Sequence, residues 1–230
     1  MTEIARTVAE AVSRVPDGAT VLIGGFGNAG QPMQLIDALL DSGATGLTVV
    51  NNNAGQGDAG LALLIKERRI SKIICSFPRQ SDSWHFDAAY RAGEIELELV
   101  PQGNLAERLR AAGAGIGAFF TPTGYGTQLA EGKETREIDG RHHVLEYPIH
   151  GDVALIKAHR ADRSGNLVYR RTARNFGPVM ATAAARTIVQ VDEISSGFLD
   201  PENVITPGIY TDTIVEIPAN RTRLEEGSPR

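Results

Sequence analysis

Residues 24–30, GGFGNAG, lie between an apolar run (Thr20-Val21-Leu22-Ile23) and an amphipathic one that begins at Met33. From Gly25 the segment spells G-x-G-x-x-G, a spacing that lets backbone N–H groups approach a pyrophosphate at a helix start. That chemistry needs the third glycine inside the helix and an acidic ribose ligand about 20 residues on. Pro32 follows Gly30 too closely for the first condition, because it marks a helix that starts beyond the glycines. The next apolar run, Leu47-Thr48-Val49-Val50, ends in Asn51-Asn52-Asn53 where the acid should stand. No G-K-[ST] follows, so a P-loop is excluded as well. The loop alone leaves two readings open: a ligand loop of another kind, or a tight strand-to-helix turn that needs glycine sterically.

Other reactive residue types cluster without a productive spacing. His142 and His143 are adjacent, so on a strand they face opposite ways and cannot share a metal ion; no metal site is expected. Glu94, Glu96 and Glu98 alternate with Ile95, Leu97 and Leu99, the pattern of a half-solvated strand rather than a carboxylate cluster. Ser81, Asp82, Ser83 and His85 crowd together without a G-x-S-x-G elbow and read as a polar loop. Cys75, the single cysteine, sits in an apolar run and reads as an inert buried thiol.

The elements that must carry these residues follow from hydrophobic periodicity. Short apolar runs predict strands at 20–23, 47–51, 72–76, 95–100, 153–158 and 187–191, and helical patterns predict helices at 3–15, 31–41, 58–67, 84–91, 104–111 and 174–185. Such alternation specifies an α/β fold, an open and mainly parallel sheet with flanking helices. Asn104 with Glu107 has the spacing of a helix-capping pair. Asp139-Gly140 predicts a hairpin turn within 136–144, and a second hairpin is expected over 162–169, together forming an antiparallel appendage between about residues 115 and 170. Residues 1–217 are expected to form one domain, and 218–230 a polar, frayed tail.

Composition bounds the function. With 230 residues, 42% hydrophobic and 22% charged, the chain has the make-up of a globular protein, and its net charge of −5 without a basic stripe argues against nucleic-acid or anionic-membrane partners. No stretch approaches the roughly 18 apolar residues of a membrane span. The opening MTEIARTVAEAVSRV reads as an amphipathic helix rather than an apolar leader, and one thiol suits a reducing compartment, so a cytoplasmic location is expected.

Several stretches, taken in order, resemble the A subunit of the family I 3-oxoacid CoA-transferases: GGFGNAGQP, LTVVNNNAG, VPQGNLAERLRAAGAGIGAFFTPTGYGT, ALIKAHRADRSGNLVY and ARNFGPVMATAA. The resemblance runs from about residue 15 to 215, and the PQGNLAERLRAAGAGI block is long and specific. CSFPRQSDS, EGKETREIDGR and ITPGIY look like the branch that passes CoA from succinyl-CoA to 3-oxoadipate in aromatic-compound catabolism (the β-ketoadipate pathway); the acetoacetate-type branch is the alternative. The resemblance implies that Gly24, Gly25, Phe26, Gly27, Asn28, Ala29 and Gly30 belong to a CoA site. It implies that Asn52 and Gln102 line the catalytic cleft at strand ends, with Gln102 the better oxyanion donor, since a neutral amide N–H stabilises a developing negative oxygen without titrating. Arg79 follows a strand in the branch-specific segment; its guanidinium fork suits the second carboxylate of 3-oxoadipate, while pairing with Asp82 is the plainer alternative.

The family's nucleophile is a glutamate in an S-E-N-G-like motif of a homologous B subunit; it forms a mixed anhydride and then a glutamyl-CoA thioester. Glu202-Asn203, flanked by Pro201 and Val204, does not match. The resemblance therefore implies half an active site, completed in an A2B2 heterotetramer, with the CoA thioester as substrate and no tightly bound cofactor. A sugar-responsive regulatory domain and a nicotinamide oxidoreductase are the competing classes.

Overall fold

The computed structural model describes residues 2–218, so the tail from residue 219 onward lies outside the described residues. In chain order the first half runs β1 (Glu3–Ala5), α1 (Val8–Val12), β2 (Thr20–Ile23), α2 (Met33–Ser42), β3 (Leu47–Val50), α3 (Leu61–Lys66), β4 (Ile70–Cys75), α4 (Trp84–Arg91), β5 (Glu96–Leu99) and α5 (Gln102–Gly113). The second half adds β6 (Phe119–Thr121), β7 (Thr135–Ile138), β8 (Arg141–Glu146), β9 (Gly151–Ala161), β10 (Leu167–Val168), α6 (Gly177–Ala183), β11 (Ala184–Ile194) and β12 (Thr213–Glu216). Among the described residues, nine strands form one sheet in the order β1-β12-β11-β9-β2-β3-β4-β5, with β10 beside β9. Every pairing in it is parallel except that of β10. The α/β, mainly parallel architecture read from the sequence is what the chain forms.

Burial on both faces explains the near-continuous apolar strands. On β2, Val21 and Ile23 join a core with Val12 of α1, Leu35 and Leu39 of α2, Leu64 of α3 and Phe86 of α4. Leu22 faces the other way, into a core with Leu105 and Leu109 of α5 and Met180 of α6. Helices α1–α4 thus cover one face of the sheet, and α5 and α6 the other.

The structure corrects several local expectations. The predicted helix at 3–15 divides. Glu3–Ala5 pairs with β12, and a short helix starts only after Thr7, whose side chain accepts from Glu10 N at 3.1 Å. Pro32 occupies the cap of α2 rather than its first turn. Asn104 does not cap α5, which starts at Gln102 after Pro101. Its Nδ2 instead donates to Thr123 O (3.2 Å) and to Glu146 Oε1 (3.1 Å), while Glu107 pairs with Arg110.

The antiparallel appendage is real but shorter than expected, a β6-β8-β7 sheet within residues 119–146. Its turn has Asp139 and Gly140 at φ of 50° and 71°, as the Asp-Gly pair requires. The second hairpin belongs to the main sheet, joining β9 to β10. Asp162 Oδ1 shapes its turn by accepting from Ser164 N (2.9 Å) and Asn166 N (3.1 Å).

Candidate active site at the carboxyl ends of the strands

Four consecutive parallel strands, β2 to β5, deliver their following loops to one edge of the sheet. Chain order departs from strand order between β2 and β9, and ligands of open α/β sheets bind outside the strand ends at such a switch point. The glycine loop after β2 stands there. Gly24 N continues the sheet by donating to Leu155 O of β9 at 2.9 Å. Phe26 and Ala29 then exchange two backbone hydrogen bonds of 3.0 and 3.1 Å, closing a tight turn around Gly27 and Asn28. Gln31 Nε2 donates to Gly27 O (2.6 Å), and Gln56 Nε2 donates to Asn28 Oδ1 (2.9 Å), tying the loop to the one after β3.

At Gly30 both backbone and packing require glycine. Its φ is +72°, and a Cβ there would stand 2.9 Å from Asn175 Nδ2 and closer still to Ala173 O. The third glycine therefore packs against the 173–175 segment, not inside a helix as a dinucleotide loop requires. Asn175, which the sequence reading did not single out, clamps both ends of the loop. Its Oδ1 accepts from Gly25 N (3.1 Å) and its Nδ2 donates to Ala29 O (2.9 Å). Between the two loops opens a cavity of about 380 Å³ lined by Asn28, Gln31, Met33, Gly55, Gln56, Ala59 and Leu61, all uncharged. A hollow of about 320 Å³ near Gly46 and Ile70 lies at the opposite edge, away from these loops.

The three asparagines after β3 divide the work. Asn51 and Asn53 serve the backbone. Asn51 Nδ2 donates to Ile23 O (2.7 Å) and its Oδ1 accepts from Asn53 N (2.9 Å), while Asn53 Oδ1 accepts from Gly55 N (2.8 Å). Asn52 is turned elsewhere. Its Oδ1 accepts from Gln102 Nε2 at 2.7 Å and from Ser76 Oγ at 2.8 Å. The structure thus brings Asn52 and Gln102 together, although fifty positions separate them. Gln102 stands at the first position of α5, where unpaired backbone N–H groups favour negative charge.

Arg79 does not join that pair. Its Nε donates to Asp87 Oδ1 of α4 at 2.7 Å, so its acidic partner is Asp87 rather than Asp82, and its side chain is more than half exposed. Ser83 Oγ donates to Gly55 O (2.9 Å) and His85, which stands on α4 rather than in the polar loop expected for it, pairs with Asp58, so the two share no triad.

Along β4, β5 and α5 the charges are neutralised in place. Lys72 Nζ bridges Glu96 (2.9 Å) and Glu98 (3.0 Å), and Arg108 holds Glu98 from the other side at 2.8 Å. Burial pushes the Glu98 carboxyl up, but the Arg108 and Lys72 bonds outweigh it and leave it below the ordinary value. Burial of Cys75 on β4 pushes its thiol up to about 12, which removes it as a nucleophile near neutral pH. His142 stacks on Tyr125, while His143 bonds to Arg141 O.

A glycine loop at the switch point and a pair of neutral amides beyond the ends of β3 and β5 make a cleft suited to acyl-group chemistry. The class is defined by sequence as well. The chain matches the family model described as Coenzyme A transferase over residues 5–217, and it belongs to that family. It is 62% identical over 212 residues to a Pseudomonas putida protein named as the A subunit of 3-oxoadipate CoA-transferase, covering 92% of each chain. It is 53% identical to a Xanthomonas campestris protein named as the A subunit of succinyl-CoA:3-ketoacid coenzyme A transferase, covering 94% of this chain and 89% of that one. Its backbone also superposes, with a TM-score of 0.80, on an acyl-CoA transferase (YdiF) of Escherichia coli O157:H7 solved as a thioester complex with CoA. At 22% identity that likeness shows the fold alone, and it covers 94% of this chain but 47% of the other. Among the described residues, no helix is long and apolar enough to cross a membrane.

Proposed function

We propose that the chain is the A-type half of a cytoplasmic CoA-transferase that moves CoA from succinyl-CoA to 3-oxoadipate, working with a homologous B chain in an A2B2 assembly. The observation that carries this reading is the 62% identity to the Pseudomonas protein, against 53% for the relative named for 3-ketoacids. CoA thioesters are substrates, and no tightly bound cofactor is required.

The chemistry starts when the B chain's glutamate attacks the succinyl-CoA carbonyl. The C–S bond breaks, CoA leaves as thiolate and a mixed anhydride remains. The thiolate then adds to the glutamyl carbonyl and displaces succinate, giving the glutamyl-CoA thioester. The same two steps with the 3-oxoadipate carboxylate, run in the opposite sense, transfer CoA to the new acid. Each step passes through a tetrahedral oxyanion, and this chain supplies neutral N–H donors from Asn52 and Gln102 to meet it. Neither amide titrates, so the donors persist over the working pH range. The uncharged cavity beside the glycine loop offers amides and apolar surface, a match for the two amides and methylenes of the pantetheine arm. In Arg79, Asp87 occupies Nε and leaves the terminal nitrogens for the distal carboxylate of a dicarboxylic acid.

Reconstitution tests the reading. The chain alone should form no 3-oxoacyl-CoA, and adding its B partner should restore transfer with 3-oxoadipate preferred over acetoacetate. Preference for acetoacetate would select the other branch, and turnover by the chain alone would remove the half-site model. Within the complex, Gln102→Ala should lower kcat about 10²–10³-fold, more than it raises KM. Gly27→Val should weaken CoA binding in calorimetry, and normal affinity would detach the loop from CoA.

A further inference from the structure

We infer that Ser76 is a positioning residue of the transfer reaction: its hydroxyl fixes the Asn52 side-chain amide with the NH2 group turned into the cleft. The inference rests on the transferase reading above and concerns a residue outside the amide pair.

Ser76 is the first residue after β4. Its Oγ lies 2.8 Å from Asn52 Oδ1 and 3.1 Å from Asn52 O, and a hydroxyl has one proton to give. The backbone oxygen already accepts from Ser76 N (3.2 Å) and Phe77 N (3.1 Å), which occupy its two lone pairs. The hydroxyl proton therefore goes to Oδ1. Gln102 Nε2 supplies that oxygen's second bond at 2.7 Å.

Two donors on Oδ1 fix which way the amide faces. A half-turn of the amide would set its N–H against the Gln102 N–H and break that bond, and would turn the Ser76 hydroxyl from donor to acceptor, leaving its proton only the backbone oxygen that two N–H groups already occupy. Asn52 is 4% exposed, so a rotated amide would have to find its partners inside the packed strand ends. Its Nδ2 nevertheless has no hydrogen-bond partner among the described residues, which leaves its two protons to give. This is the arrangement a donor to a transient oxyanion needs: held from behind and free in front. Of the two residues behind it, Gln102 is exposed at a helix start and Ser76 is half-buried at a strand end, so Ser76 is the more rigid clamp.

The test uses the reconstituted complex with its B partner. Ser76→Ala should lower kcat about 2- to 12-fold, the effect of one neutral hydrogen bond, with KM for succinyl-CoA unchanged. Ser76→Thr, which restores the hydroxyl, should recover most of the loss. In an Asn52→Ala background, Ser76→Ala should cause no further fall, because no amide is left to orient. Should Ser76→Ala fail to assemble, Ser76→Cys keeps the volume with a weaker donor and gives the same readout. An unchanged kcat in Ser76→Ala, or a loss that persists in the Asn52→Ala background, overturns the positioning role and leaves the transferase reading intact. A parent complex that transfers CoA to no 3-oxoacid overturns both.

Discussion

Replacing Gly30 by alanine adds one methyl group at a point where the chain has no room and the backbone no tolerance. At φ of +72° an L-residue costs about 1–2 kcal/mol relative to glycine. The new Cβ would also press on Ala173 O and on Asn175 Nδ2, and a carbonyl oxygen cannot swing aside as a side-chain tip can. Relief requires the 173–175 segment to retreat, which breaks the Asn175 bonds to Gly25 N and Ala29 O. At about 1 kcal/mol for each bond, the total reaches about 3–4 kcal/mol. For a chain of this size that is a fall of roughly 6–16 °C in the unfolding midpoint. Gly27→Ala is the internal control. Its φ is +56°, but nothing lies within 4 Å of its Cβ position, so only the backbone term of about 1–2 kcal/mol applies. Both variants are compared by thermal melting of the complex, and Asn175→Ala is added to each. The Asn175 and Gly30 changes should be less than additive, because both remove the same bonds, whereas Asn175 and Gly27 should add. If Gly30→Ala melts no lower than Gly27→Ala, close packing on the 173–175 segment is not what demands glycine, and the reasoning fails.

Three further outcomes are expected. Arg79→Gln should lower kcat/KM for 3-oxoadipate about 10-fold while sparing a monocarboxylic 3-oxoacid, the loss of one solvent-screened charged contact; an equal effect on both acids removes Arg79 from specificity. Cys75 should resist iodoacetamide in the native complex and react once the chain is unfolded, as mass spectrometry would record, because burial holds the thiol protonated with its value up to about 12; rapid native labelling would contradict its burial. Burial pushes the Asp162 carboxyl up, but bonds from the Asn166 side chain and from the backbone of Leu199, Asn166 and Ser164 outweigh it and hold the group below its ordinary 3.8. A depressed carboxyl stabilises the fold above that unfolded value and loses its contribution as pH falls through the folded one. Asp162→Asn should therefore lower the urea midpoint at pH 7 and converge on the parent as the pH drops below about 3.8; a difference that grows on acidification would refute the assignment.

What the sequence determined by itself is what short-range chemistry dictates. Apolar runs flanked by turn residues placed β2 at Thr20–Ile23, and a 3.6-residue pattern placed α4 at Trp84–Arg91. Asp139-Gly140 specified its hairpin because two positive-φ positions are a local demand. The motif order marked the transferase family, and the resemblance put Asn52 and Gln102 forward as candidates, before any distance was known. Tertiary structure decided whatever depends on a remote partner. Glu3–Ala5 has a helical pattern, yet becomes a strand because Thr213–Val215 offers it an open edge of the sheet. Asn104 has the spacing of a cap, but the buried carboxylate of Glu146 and Thr123 O claim its amide. Asn175 reaches Gly25 across 150 residues, and Ser76 reaches Asn52 across 24, through the parallel pairing of β3 with β4. A serine or an asparagine carries the same hydrogen-bonding capacity wherever it stands in a chain, and only the packing of the sheet decides which atom it will hold.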